Sequence, residues 1–216
     1  MMTIMPRNRY IQRFLRLLCC LVLLQTTIAA AADTNARTAE QATARATAQA
    51  TPLAGLPFAV TEEAIANLSP YALIKTNKGF FEIRFFPDVA PVHVLNFQHL
   101  ARTGFYNNIK FYRYIQNYII QGGDKNGDGS GGTGYTLAPE FSSIRHRRGI
   151  VAMSRIRGEK NPHRVSNGSQ FYICLGSAPQ LDGLYSIFAE VVSGMDVVEQ
   201  LRPEDEILEI KLSGLR

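Results

Sequence analysis

The stretch FYRYIQNYIIQGGD, Phe111 to Asp124, constrains the fold of this chain more than any other. It holds two short apolar runs, Phe111–Ile115 and Tyr118–Ile120, rich in Tyr, Phe and Ile and without helical spacing. Runs of that length and type predict strands, and Gly122-Gly123 predicts a sharp exit. The pattern recurs along the chain. YALIKT and FFEIRFF flank Asn77-Lys78-Gly79 and read as a β-hairpin. IVAMS (Ile150–Ser154), FYICL, YSIFAEVV and EILEIKL follow. Pro91 opens a helix with Val94, Phe97 and Leu100 on one apolar face and Gly104 after its end, and a second helix lies near Met195–Leu201. Many short strands with two helices predict a mainly β fold, a closed antiparallel barrel with helical plugs.

Within the opening stretch stands one arginine, Arg113, flanked by Phe111, Tyr112, Tyr114 and Ile115. Such a guanidinium is paired with a carboxylate or carbonyls, stacked on aromatics, or available to a ligand. Other motifs fall short of the chemistry they suggest. Asp124, Asn126, Asp128 and Gly129 match the first half of an EF-hand loop, but its twelfth position is Tyr135 rather than a bidentate Glu, so no metal is expected. Gly129-Ser130-Gly131-Gly132-Thr133-Gly134 is formally G-x-G-x-x-G, but no helix with an apolar face begins there. Ser169 is in no nucleophile elbow, and His93, His99, His146 and His163 are scattered without zinc spacing. A basic segment, Arg145, Arg147, Arg148, Arg155, Arg157, Lys160 and Arg164, holds Glu159 as the only acid between Arg145 and Cys174. It reads as a solvated loop face, or as a bias of any adjacent site toward acidic clients.

Residues 1–32 carry Arg7, Arg9, Arg13 and Arg16, then the apolar run Leu17–Leu24 and Ala30-Ala31-Ala32, the order of a secretory signal peptide. The run is too short for a stable membrane span. Removing those residues takes the formal charge from +5 to +1, which gives no argument for nucleic acid. It also removes Cys19 and Cys20 and leaves Cys174 alone in an apolar strand, so no internal disulfide is expected. Residues 33–69 form an Ala/Thr-rich spacer, with a short helix within Leu56–Asn67 capped by Thr61. A single domain then spans 70–216.

F-x-R-x-I from Phe111, Q-G-G-D from Gln121, N-G-S-Q-F-x-I from Asn167 and L-D-G from Leu181 stand in that order. Together they resemble the cyclophilin family of peptidyl-prolyl cis–trans isomerases, from about Tyr71 to Arg216. The resemblance implies a closed eight-stranded antiparallel barrel capped by two helices, with a site on the outer face of one sheet. It implies that Arg113 favours the twisted prolyl amide and that Gln121 holds a substrate carbonyl and orients Arg113. Tyr118, Ile119, Tyr172 and Leu181 would then surround the proline ring with Met153 nearby, Tyr185 would stand at the family's histidine position, and Ser154 and Arg155 would meet the peptide main chain. No cofactor is needed.

Several positions depart from the familiar eukaryotic pattern. Tyr118 and Tyr172 stand for phenylalanines, Ile119 for a methionine, Tyr185 for a histidine and Gln180 for a tryptophan, the last weakening any cyclosporin binding. The Ser154–Asn167 loop is longer than usual. These departures are more bacterial than eukaryotic, and with an export signal they imply a periplasmic monomer acting on unfolded or partly folded proline-containing polypeptides. A proline-binding chaperone or scaffold with little catalysis is the alternative.

Overall fold

The computed structural model describes residues 55–214; the expected signal peptide (1–32), the expected spacer up to residue 54, and residues 215–216 lie outside the described residues. The hairpin forms where local sequence demands it. β1 (Tyr71–Thr76) and β2 (Gly79–Phe85) pair from Tyr71 opposite Arg84 to Thr76 opposite Gly79 around the two-residue turn. Then come α2 (Pro91–Arg102), β3 (Ile109–Lys110), β4 (Arg113–Ile115) and β5 (Ile119–Gly122). β6 (Thr136–Leu137), β7 (Ile150–Met153), β8 (Ser166–Asn167) and β9 (Phe171–Cys174) follow. β10 (Ile187–Ser193), α3 (Met195–Gln200) and β11 (Glu206–Ser213) complete the order, and a one-turn α1 (Glu62–Ala66) precedes it all. The Thr61 hydroxyl accepts a 3.0 Å bond from the Ala64 N–H, the expected cap.

Among the described residues, the ladder is an open antiparallel sheet of nine strands, ordered β3-β11-β1-β2-β10-β7-β9-β5-β4, with β6 and β8 as a separate ribbon. This corrects the closed eight-stranded barrel. Irregular register at Lys75/Thr76, Val191/Ser193 and Ile187/Ala189 bends the strands and curls the sheet. The curl brings its two edges to one chain segment. β3 and β4 are both edges, separated only by Phe111 and Tyr112. The Phe111 N–H donates to Asp205 O on the β11 side (2.8 Å), while the Tyr112 N–H donates to Gln121 O on the β5 side (3.0 Å). The edges therefore meet through the covalent chain, not through a ladder.

The core fills the concave side. Phe97 on α2 lies 4.9–5.7 Å, ring to ring, from Phe85, Tyr106, Phe171 and Phe188, and all five are buried. The predicted face Val94, Phe97, Leu100 is buried as expected. α2 has no cap of its own at Ala90. Glu140 supplies one from a distance: its two oxygens accept from the N–H groups of Val92 (3.1 Å) and His93 (3.0 Å). The buried His93 ring bonds Glu140 through Nδ1 (2.5 Å) and Ser166 Oγ through Nε2 (3.0 Å), so this histidine is structural. Residues 55–69, assigned to the spacer from sequence, lie against this helix. Leu56 and Leu68 pack on the core, Ser69 and Gln98 exchange two bonds, and Phe58 meets the His99 ring at 5.0 Å.

β5, β7 and β9 are buried along their whole length. Alternation gives them two apolar faces. Ile120, Val151, Met153, Phe171 and Ile173 join the core, while Ile119, Ile150, Ala152, Tyr172 and Cys174 join Ala178, Leu181, Tyr185 and Ile187 in a second cluster.

Candidate active site

Pairing register aligns one row across the outer face of the sheet. Arg113 on β4 stands opposite Gln121 on β5, Gln121 opposite Tyr172 on β9, and Tyr172 opposite Ala152 on β7. A charged group, an amide, an aromatic ring and a methyl group thus sit side by side. With its neighbours this row lines a groove of about 190 Å³, formed by Arg113, Tyr118, Ile119, Gln121, Ser154, Arg155, Arg157, Tyr172, Leu181 and Tyr185. Leu181 comes from the short turn Pro179–Leu181 and Tyr185 from the approach to β10.

Nine of the ten residues named from sequence line this groove. Met153 is the exception. It is fully buried in the main core, because its partner Phe171 lies one residue from Tyr172 and so on the opposite face. It can support the groove wall only from behind. Gln180 is exposed and is not part of the lining. Three contributors stood outside the named site residues. Arg157 was read with Arg155 in a basic segment, as a solvated loop face or as a bias toward acidic clients, and it lines the groove. Gln170, inside the N-G-S-Q motif, and Tyr112, beside Arg113, form the network that fixes Gln121.

That network explains how Gln121 can be buried. The two N–H of its Nε2 are shared among Ser154 Oγ (2.9 Å), Gln170 Oε1 (3.3 Å) and the Tyr112 hydroxyl, and its Oε1 accepts from Arg113 (3.3 Å). Tyr112 donates in turn to Gln170 Oε1 (2.7 Å). Burial, aided by Asp124, pushes the Tyr112 phenol up to about 12, so it stays a neutral donor. Gln170 Nε2 anchors the glycine-rich loop through Gly129 O (3.0 Å) and Gly131 O (2.7 Å). Asp124, the acid of the EF-hand-like motif, accepts from the N–H groups of Asn126 (3.1 Å), Asp128 (3.0 Å) and Gly129 (2.5 Å), a structural use of its carboxylate.

The exit at Gly123 is set by contact. Its φ is +82°, and a Cβ there would lie 2.3 Å from Ser169 O. Ser169 Oγ donates to Gly123 O (2.7 Å), so this serine is a brace.

Behind the groove, the Tyr172 hydroxyl lies 3.0 Å from His146 Nε2, and His146 Nδ1 lies 2.9 Å from Asp182 Oδ1. The same Asp182 oxygen accepts the His146 N–H at 2.7 Å. Burial holds the His146 ring below its ordinary value, against the pull of Asp182. Ser154 donates its own N–H to Gln170 O (2.8 Å) and accepts from the Asn167 N–H (2.8 Å), so a peptide meeting the main chain there would compete with those bonds.

Residues 71–209 match the family model described as cyclophilin type peptidyl-prolyl cis-trans isomerase/CLD. The peptidyl-prolyl cis-trans isomerase of Helicobacter pylori is 35% identical over 161 residues, covering 73% of this chain and 94% of that protein. The peptidyl-prolyl cis-trans isomerase-like 2 of Rhizopus delemar is 39% identical over 151 residues; the match spans 63% of this chain and only 27% of that longer protein. The crystal structure of a cyclophilin type isomerase from Cryptosporidium parvum superposes with a TM-score of 0.62 at 32% identity, covering 68% of this chain and 99% of that one. A second structure of that protein, in the presence of the dipeptide Ala-Pro, gives 0.61 at 33%. The curled sheet, the groove and these matches together make the chain a member of the cyclophilin-type peptidyl-prolyl cis–trans isomerase family.

Proposed function

We propose that this chain accelerates X–Pro bond rotation in a groove whose guanidinium, Arg113, stabilises the twisted amide. Rotation destroys amide resonance, a barrier of ~18–20 kcal/mol for peptide bonds in general. It breaks no bond. What it needs is a donor aimed at the prolyl nitrogen, which gains a lone pair as it becomes pyramidal. Such a contact is stronger in the transition state than in the ground state, the condition for acceleration. Each tenfold gain asks for about 1.4 kcal/mol. An arginine suits the task because its charge is constant across working pH.

The observation that carries this reading is the row Arg113–Gln121–Tyr172. It sets a guanidinium, steadied through Gln121 Oε1, beside the apolar floor of Ile119, Tyr172 and Leu181. A pyrrolidine ring needs such a rigid wall. Gln121 Nε2 would hold the substrate carbonyl, exchanging one of its internal bonds for it. The Cryptosporidium relative, crystallised in the presence of Ala-Pro, supports the choice of ligand.

The test is exchange NMR on a blocked Ala-Pro peptide with the parent chain and Arg113→Ala. Fast exchange in the parent that falls at least ~100-fold in the variant, with peptide binding retained, is expected. Binding without acceleration in the parent would convert the groove into a proline-binding module. The clients in this reading are exported, proline-containing chains met as a monomer in the periplasm, to which residues 1–32 would direct the protein. Cell fractionation with and without residues 1–32 tests that part separately.

A further inference from the structure

The seven basic residues of the segment from Arg145 to Arg164 are not equivalent in the folded chain. Arg147 is neutralised by Glu190 (2.5 Å), which Arg84 also grips, and Arg148 by Glu199 (2.6 Å). Those arginines are consumed by the fold. Arg155 and Arg157 are not. Both line the groove, together with Arg113, and no carboxylate is among the lining residues. Among the described residues, no acid lies within ion-pair distance of any of these three guanidiniums. Asp182, next to the lining residue Leu181, is already held by the His146 ring and N–H.

The two free arginines are also held in place, which distinguishes them from a solvated loop face. Arg155 Nε donates to Leu184 O (2.8 Å), and its guanidinium lies 4.6 Å from the Tyr185 ring centre. Arg157 lies 5.7 Å from the same ring centre and donates through Nε to the Tyr185 hydroxyl at 2.5 Å. Tyr185 therefore organises both, by its face and by its oxygen. Arg155 Nη1 also donates to Ile156 O (3.2 Å), and Arg157 also meets the Tyr118 side chain, which leaves Arg155 Nη2 and further N–H groups of Arg157 for an acceptor. The protein contributes three positive charges to one groove and no negative one, so the missing charge belongs to the ligand.

We infer that Arg155 and Arg157 select clients carrying a carboxylate side chain, Asp or Glu, beside the proline bound in this groove. The inference rests on the isomerase reading and adds a substrate class to it. The acid accepts from the terminal nitrogens of Arg157 and Arg155, while the proline ring occupies the Ile119–Tyr172–Leu181 floor. Part of the long Ser154–Asn167 loop then has a use. It carries Arg157 to the rim of the groove, where Tyr185 fixes it.

The experiment compares blocked peptides containing Glu-Pro and Gln-Pro, with further pairs placing Glu or Gln two before and one after proline. The full chain is used, with exchange NMR for turnover and shift titration for affinity. Blocking both ends removes the terminal carboxylate, a competing source of the same charge. We expect kcat/KM for one Glu peptide to exceed that of its Gln partner about fivefold at low ionic strength, or about 1 kcal/mol, the upper range for exposed ion pairs. That ratio falls toward one in about 0.5 M salt, and in Arg157→Gln, with Arg155→Gln adding to the loss. Equal values for Glu and Gln at every position, or a preference that survives both substitutions, would overturn the inference. If no peptide is turned over, the isomerase reading fails, and the ratio of Glu to Gln affinities still decides the proposal.

Discussion

His146 joins the groove wall to the rest of the molecule through one ring. Its Nε2 meets the Tyr172 hydroxyl and its Nδ1 meets Asp182, and burial favours the neutral form. A lowered folded value means that, as pH falls below the unfolded histidine value near ~6.5, the unfolded chain binds a proton the folded one resists. The stability contribution is thus present above that value and is lost as pH falls from it toward the lowered folded value. Urea midpoints taken from about pH 7.5 down to about 5 should decline, and His146→Gln should flatten the decline; an unaltered slope would assign the acid sensitivity to other groups. Tyr172→Phe leaves His146 Nε2 without its partner and should cost about 1–3 kcal/mol of unfolding free energy. The family resemblance set Tyr172 around the proline ring in place of a phenylalanine, which adds a hydroxyl tip. It did not identify what the tip would touch, because His146 lies 26 residues away and was one of four scattered histidines.

Elements whose determinants are local were legible. The hairpin needed only its two-residue turn, α2 only Pro91 and a three-residue spacing, and α1 only Thr61. The two-residue strands β3, β6 and β8 left no period to read, since each exists only by virtue of its distant partner. Met153 failed for a related reason: an apolar strand buried on both faces has no polar residue to mark its phase. The cap of α2 was equally non-local. Glu140→Ala removes the acceptor of the Val92 and His93 N–H groups and of the buried His93 ring, and should cost roughly 2–3 kcal/mol by urea unfolding. Gly123→Ala meets both a positive φ and the Ser169 carbonyl, and should destabilise by more than about 1 kcal/mol. If either variant unfolds at the parent midpoint, the corresponding contact is not limiting.

For the domain as a whole, Cys174 gives a direct probe of integrity. It is fully buried, and burial pushes its thiol up to about 12. Peptide mapping should find it unlabelled by maleimide in the native protein and labelled in urea; rapid native labelling would mean that the sheet opens at β9. The overall class was legible because alternating apolar and turn signals accumulate over the chain. The way its edges meet was not, since that depends on one segment bonding in two directions. Phe111 accepts the Glu204 N–H and donates to Asp205 O, while Tyr112 donates to Gln121 O, one residue before Arg113. Arg113 thus rides on a clasp whose other half is made by residues preceding β11, the last strand among the described residues. A chain halted before residue 204 would contain every residue of the groove yet lack the latch that aims its guanidinium. Competence would therefore wait for residues 204 and 205 and arrive all at once, and turnover of a peptide would serve as a readout of whether the clasp had closed.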